Sequence, residues 1–205
     1  MNMELIAISD PGFISNELSL LNQLFEAGLP LLHLRKEGLN SAGYAQIIKG
    51  IAPVFHPRLV LHQFHELISE FDIHRLHYPE KMRSQMNHFS AKHINSTSVH
   101  QLEDLPTLNG FSYAFLSPVF DSISKMGYKS VLPDDFYIQS EIKKTPVIGL
   151  GGISTGNLER VREMNFDGAA VLGSLWKEPE NVIAKFREIR DVVYLMNRFG
   201  NHDEP

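Results

Sequence analysis

Short apolar runs alternate with stretches of helical period from one end of this 205-residue chain to the other, and that alternation narrows the fold more than any other feature. An apolar run, then an amphipathic stretch, then another apolar run is the pattern of parallel strands joined by crossover helices. The predicted strands cover residues 5–9, 30–35, 59–62, 73–76, 89–94, 113–116, 146–150 and 168–172. Predicted helices fill residues 15–27, 41–54, 64–70, 99–105, 156–164 and 179–196, several opening near a Ser, Thr or Asn able to cap them. Eight such strands suit a closed ring better than an open sheet. The expected fold is therefore an α/β fold, a single-domain (β/α)8 TIM barrel over residues 1–196, followed by a polar tail at 197–205.

Composition sets limits on partners. Apolar residues make up 43% and charged residues 21%, with a net charge of −5 and no long run of one sign, which argues against a nucleic-acid groove. No segment approaches the ~18 consecutive apolar residues that a membrane span needs. The first ten residues lack a basic stretch ahead of an apolar one, and a cytoplasmic location is expected. With no cysteine in the chain, disulfides, thiolate nucleophiles and cysteine-held zinc are excluded.

In barrels of this kind the chemistry sits at the C-terminal ends of the strands. The seventh predicted strand runs into Gly151-Gly152-Ile153, and the eighth ends at Leu172-Gly173-Ser174. Glycines there let peptide N–H groups approach a phosphate, and a helix starting just afterwards adds partial positive charge. At the end of the second strand stands His33-Leu34-Arg35-Lys36-Glu37. Arg35 offers a planar fork for phosphate or carboxylate and Lys36 a point charge; because strand residues alternate faces, at most one of the two points to the pocket, and Arg35 is the better candidate. After the sixth strand, residues 121–133 form a long loop rich in Ser, Lys and Gly, suited to a lid that closes over an anion.

Taken in order, these segments resemble the thiamine phosphate synthase family, with its thiazole tautomerase-like branch. The family pattern Gln-Leu-Arg-x-Lys is echoed by His33 to Glu37, Ser-x-His-Ser-x-x-Glu by Ser98 to Glu103, and Gly-Pro-Val-Phe-x-Thr-x-Thr-Lys by Ser117 to Lys125. The Gly-Gly-Ile turn matches Gly151 to Ile153, and the Asp-Gly-x-x-Val strand matches Asp167 to Val171. The resemblance implies a transferase of thiamine biosynthesis. It joins hydroxymethylpyrimidine diphosphate to thiazole phosphate, giving thiamine phosphate and pyrophosphate with the help of Mg2+. By position, Arg35 and Lys125 would hold pyrophosphate, Ser98 would touch the pyrimidine, and Ser122 and Ser124 would donate from the lid. Gly151, Gly152, Leu172 and Gly173 would bind the thiazole phosphate, and His33, Lys36, His62 and Gln63 are further expected substrate contacts. The expected partners are small phosphorylated heterocycles, and a homo-oligomer is compatible with the sequence.

The chain also departs from the pattern. Where the family reads Asn-Asp-Arg after the third strand, this sequence has His62-Gln63-Phe64, so Gln63 replaces a carboxylate metal ligand. Where the family reads Gly-x-His-Leu-Gly-Gln-x-Asp, residues 73–80 read Ile-His-Arg-Leu-His-Tyr-Pro-Glu, leaving Glu80 as the remaining candidate for magnesium. Pro118 stands where thiazole-acting relatives carry a histidine, which favours the synthase side. His62, His65, His74 and His77 fall close together in sequence, as transition-metal ligands, proton-transfer groups or simply solvated turn residues. The alternative function is a tautomerase-like or regulatory phosphate-binding relative without synthase activity. A sugar-phosphate isomerase on the same cup is a third reading, weakened by the lack of a carboxylate acid/base pair at the strand ends.

Overall fold

The computed structural model describes residues 2–83, 92–121, 132–133 and 135–200. Eight parallel strands close into a barrel in sequential order: β1 (Glu4–Ile8), β2 (Leu31–Leu34), β3 (Leu59–Leu61), β4 (Arg75–Tyr78), β5 (Ile94–Val99), β6 (Tyr113–Leu116), β7 (Val147–Leu150) and β8 (Gly168–Val171). Pairing of β1 with β8, from Glu4↔Gly168 to Ala7↔Val171, closes the ring. The described helices are α1 (Glu17–Glu26), α2 (Ser41–Gly50), α3 (Glu80–Arg83), α4 (Leu158–Glu163), α5 (Gly173–Trp176) and α6 (Val182–Phe199). After β3 and β5 the crossovers use short 3-10 turns, His65–Ser69 and Leu102–Thr107, instead of full helices. Such turns let a barrel close with a chain this short.

Alternation along each strand builds two cores. On β1, Leu5 and Ala7 face the helices while Ile6 and Ile8 face the barrel axis. The outer layer packs Leu32, Leu34, Leu59 and Leu61 against Leu21, Leu24 and Phe25 of α1 and Tyr44 and Ile48 of α2. On α6, Val182, Phe186, Ile189 and Val193 recur at helical spacing and form its buried stripe. Each such side chain contributes about 1.5–3 kcal/mol by leaving water.

The Asp167-Gly168 pair serves ring closure. A Cβ on Gly168 would lie 2.7 Å from the Glu4 carbonyl oxygen and from Ile148, so only glycine lets β8 come this close to β1. Asp167 accepts hydrogen bonds from the Val147 amide (2.7 Å) and the Lys143 ammonium (2.8 Å), at the end of the barrel opposite the site described below.

The strand order agrees with the sequence expectation, but two strands lie elsewhere along the chain. The fourth begins at Arg75 instead of residue 73, and the fifth spans Ile94–Val99 where residues 89–94 were expected; residues 89–91 lie outside the described residues. The displacement of β5 has a physical cause. β5 reads Ile-Asn-Ser-Thr-Ser-Val, a polar segment with the look of a loop, yet Asn95, Ser96 and Thr97 are buried. Their polar groups are satisfied by neighbouring backbone: Thr97 Oγ1 donates to the Tyr78 carbonyl (2.7 Å), and Ser96 Oγ to the Leu76 carbonyl (3.3 Å). The expected helices at 64–70 and 99–105 appear as the two 3-10 turns, the second displaced and containing Pro106. The last helix runs on to Phe199, and Asn197 clasps the N-terminal strand, accepting from Met3 N (2.7 Å) and donating to Met3 O (3.0 Å). The tail therefore starts later than residue 197, and residues 201–205 lie outside the described residues.

Candidate functional site

At the C-terminal ends of the strands opens a cavity of about 570 Å³, bordered by Arg35, Gln63, Glu80, Ser98, Leu150 and Leu172 among others. Arg35 follows β2, and its backbone is fixed against Ser9, whose Oγ accepts from Arg35 N (2.9 Å) and donates to Arg35 O (2.8 Å). Its guanidinium pairs with Glu37 (2.9 Å), in water-accessible surroundings. Ser98, at the mouth end of β5, has its Oγ 3.0 Å from His77 Nε2.

Beneath this mouth lies a cluster the sequence did not assemble. His33 on β2, His62 just after β3 and His77 on β4 occupy inward positions on adjacent strands, and one ring nitrogen from each lies within 4.8 Å of the others. His33 is fully buried and His77 nearly so, while His62 and His77 border the cavity. His33 Nδ1 is 2.8 Å from His62 Nε2, and His33 Nε2 is 2.6 Å from the Tyr113 hydroxyl. The His62 and His77 rings stack at 4.1 Å between centroids. Burial dominates their protonation: it pushes the imidazoles of His33 and His62 well below the usual histidine range and His77 down to about 3, reinforced by the neighbouring rings and by Arg35 or Arg75. All three rings are neutral at physiological pH.

The two glycine turns leave the same rim. Leu150 pairs with Ala170, so Gly151-Gly152 after β7 and Leu172-Gly173 after β8 emerge side by side. Gly151 (φ +98°) and Gly152 (φ +66°) are both left-handed, and a Cβ on Gly152 would lie 2.5 Å from the Asp121 carbonyl oxygen. Gly173 and Ser174 open α5, and as first-turn groups their amides have no acceptor within the helix. Among the described residues, Ser174 Oγ is the buried side-chain atom without a hydrogen-bond partner. It borders a smaller cleft of about 330 Å³ with Ser154, Thr155, Lys177 and Lys185. Glu178 and Glu188 line the same cleft, and Lys185 is paired with Glu178 (3.0 Å), so its charge is mixed and the unpaired hydroxyl at the start of α5 is the feature that favours an anion.

The remaining expected site residues divide. Arg35, His62, Gln63 and Ser98 border the mouth. Lys36 does not: its side chain is 1% exposed, turned outward beneath α1, and its Nζ donates to the carbonyls of Asp10 (2.7 Å) and Gly12 and to the Glu17 carboxylate. The expectation that Lys36 contacts substrate is corrected by this placement, which follows from the strand alternation that sends Arg35 inward. His33 lies below the mouth, covered by the other two rings, so it reaches a ligand only through them. Lys125, Ser122 and Ser124 lie outside the described residues. Of the histidines close in sequence, His65 is 3.1 Å from the Leu61 carbonyl and His74 pairs with Asp72 at the surface, so neither joins the cluster.

A magnesium site at Glu80 does not fit the donors present. Glu80 faces Arg83 (3.5 Å) and His100 (3.9 Å). Gln63, in place of a carboxylate, has both amide atoms engaged: Oε1 accepts from Lys36 N (3.2 Å) and Nε2 donates to Lys36 O. A hard cation seeks charged oxygens, and the described residues of this mouth offer two carboxylates, Glu37 and Glu80, each already facing a basic side chain. Sequence reasoning named His77 only within the group His62, His65, His74 and His77 and missed Tyr113 and Ser174 as site residues; the inward register of β4 and β6 was the signal that separates His77 from that group and finds Tyr113.

Among the described residues, no helix is long and apolar enough to cross a membrane. Comparison with known proteins accords with the geometry. A thiamine-phosphate synthase of Latilactobacillus sakei is 23% identical over 197 residues, covering 89% of this chain and 84% of that protein. The crystal structure of a thiamine phosphate pyrophosphorylase from Bacteroides thetaiotaomicron superposes with a TM-score of 0.73 at 26% identity, covering 94% of this chain and 98% of the other. The thiamine phosphate pyrophosphorylase of Pyrococcus furiosus shares the fold at TM-score 0.74 and 18% identity, covering 94% and 96%. The sequence profile described as thiamine monophosphate synthase matches residues 5–175, from β1 into α5 and so through every strand of the ring. On that match the chain belongs to the thiamine monophosphate synthase family, transferases of thiamine biosynthesis.

Proposed function

We propose that the protein joins hydroxymethylpyrimidine diphosphate to thiazole phosphate. The observation that carries this reading is the mouth bordered by Arg35 and Ser98 on one side and, on the other, by Leu150 and Leu172, from which the two neighbouring glycine turns depart. In the reaction the bond between the pyrimidine methylene and the diphosphate oxygen breaks, and diphosphate departs with the electron pair. The thiazole nitrogen supplies the pair for the new carbon–nitrogen bond. No side chain needs to act as nucleophile; the protein's work is to hold two anions and align two rings.

Arg35 is placed to receive the leaving diphosphate, exchanging its exposed contact with Glu37 for a two-point grip on phosphate oxygens. The amides of Gly152, Gly173 and Ser174, with the unpaired Ser174 hydroxyl, would hold the thiazole phosphate. Ser98 and the neutral edge of His77 would meet the pyrimidine. Turnover of the two phosphorylated substrates, followed as thiamine phosphate and pyrophosphate appear together, tests the reading; a folded sample that makes neither at high enzyme concentration refutes it.

One observation favours a second reading, a phosphate-binding relative without synthase activity. Gln63, where the family pattern has a carboxylate, is tied at both amide atoms to the Lys36 backbone. Calorimetry separates the two: the second reading requires thiazole phosphate or thiamine phosphate to bind with no turnover at any magnesium concentration.

A further inference from the structure

Three departures from the family pattern meet at one point in space. His33 stands for Gln, His62 for Asn and His77 for Gly in the motifs compared above, and their rings converge inside the barrel. We propose that His33, His62 and His77 form a binding site for a divalent transition-metal ion, Zn2+ or a close substitute, with its open coordination position toward the mouth.

The donor chemistry suits such an ion. Imidazole is a ligand of borderline softness, preferred by zinc, copper, nickel and iron over magnesium, and three neutral rings leave a fourth position free. His33 Nδ1 and His62 Nε2, 2.8 Å apart, can face each other only with a proton between them. A cation in place of that proton sits about 2.0–2.1 Å from each nitrogen, which sets ligand nitrogens roughly 3.3 Å apart in a tetrahedral site. The present spacings, from 2.8 Å for this pair to the 4.8 Å limit of the set, bracket that value, so small ring rotations suffice.

Groups behind the rings already fix their orientation. Ser96 Oγ donates to the Leu76 carbonyl and so accepts from His77 Nδ1 (3.0 Å), which leaves the His77 Nε2 lone pair turned toward Ser98 and the cavity. With its Nδ1 on the ion, His33 would direct Nε2–H to the Tyr113 oxygen. Outer partners of this kind hold histidine ligands in metal sites. An entry path exists because His62 and His77 border the mouth. Among the described residues no carboxylate belongs to the set, and the fields of Arg35 and Arg75 reach the rings. The ion's charge is therefore balanced by an anionic ligand entering from the mouth, where Arg35 also stands.

The full chain, dialysed against chelator, is titrated with Co2+ as a spectroscopic substitute and then with Zn2+. The expected result is one equivalent bound, with the visible absorption of a four- or five-coordinate ion that Zn2+ abolishes. His33→Gln, His62→Asn and His77→Gly, which restore the residues of the family pattern, should each weaken binding by at least about tenfold. His74→Gln, at the surface, should leave it unchanged. Anomalous scattering from zinc-soaked wild-type crystals locates the ion without relying on any variant. Absence of saturable one-to-one binding, indifference to all three substitutions, or an ion placed elsewhere overturns the proposal. None of these outcomes bears on whether the two phosphorylated substrates are joined, which is read by turnover.

Discussion

The side-chain amide of Gln63 closes a hydrogen-bonded ring with the backbone of Lys36, accepting from its N–H and donating to its carbonyl. A carboxylate accepts but cannot donate, so Gln63→Glu sets negative charge against the Lys36 carbonyl oxygen. Urea denaturation at neutral pH should show a loss of about 1–3 kcal/mol. The loss should shrink as pH falls and the introduced carboxyl gains a proton to donate, and magnesium should not reverse it.

Lys36 is expected to matter for stability and not for substrate. Its buried ammonium holds two carbonyls of the loop after β1 and the Glu17 carboxylate of α1, whose pKa burial raises against the pull of the lysine. Lys36→Met leaves Glu17 buried without its partner, and the expected cost is about 3–5 kcal/mol. Whatever protein folds should keep its KM; a raised KM with unchanged melting would place Lys36 at the mouth after all.

Acid should destabilise the apo protein steeply. His33, His62 and His77 have folded pKa values below the unfolded value near 6.5, His77 at about 3. Above pH ~6.5 both states are neutral at these rings and their contribution is complete. As pH falls further, the unfolded chain takes up protons that the folded one refuses, and stability declines until the folded pKa values are reached. Three such groups give a slope of up to about 4 kcal/mol per pH unit. Denaturation midpoints between pH 7 and pH 4 measure it, and His77→Gly should remove one proton's share.

Gly152→Ala should damage both fold and phosphate binding. A left-handed alanine costs about 1–2 kcal/mol before any contact is counted, and its methyl would press on the Asp121 and Phe120 backbone. Melting temperature and calorimetric binding of thiazole phosphate are the measurements. An unchanged affinity would remove this turn from the phosphate site.

Arg35→Lys should leave stability within about 0.5 kcal/mol, since the guanidinium's ion pair with Glu37 is exposed. Turnover should fall by about 100-fold or more, because an ammonium cannot supply the two-point grip on developing charge. Equal kinetics for the two proteins would refute the role assigned to Arg35.

The ring was legible because apolar strands are short, frequent and separated by helical periods, and alternation together with the guanidinium's suitability for phosphate pointed to Arg35 over Lys36. β5 was not, because a run of Asn, Ser and Thr reads as a loop until buried neighbours consume its hydrogen bonds. The histidine cluster was hidden for a related reason. His62 and His77 were grouped with His65 and His74 by nearness along the chain, whereas the barrel sorts residues by facing direction and depth. Those criteria admit His33, which stands far away in sequence, and reject His65 and His74. Residues 122–131 of the long loop, including Lys125, contribute nothing to this comparison, since they lie outside the described residues.

The barrel interior is unevenly furnished. Ile6, Ile8, Ile148 and Ala170 line the seam where the last strands meet the first, whereas His33, His77 and Ser96 face inward on β2, β4 and β5. Leu31, Val60 and Phe115 carry the same apolar lining round to the strands next to the imidazoles, so the ring has inward apolar contacts on both sides of them. Exchange of the three rings for other side chains should therefore change what the mouth can hold without opening the ring.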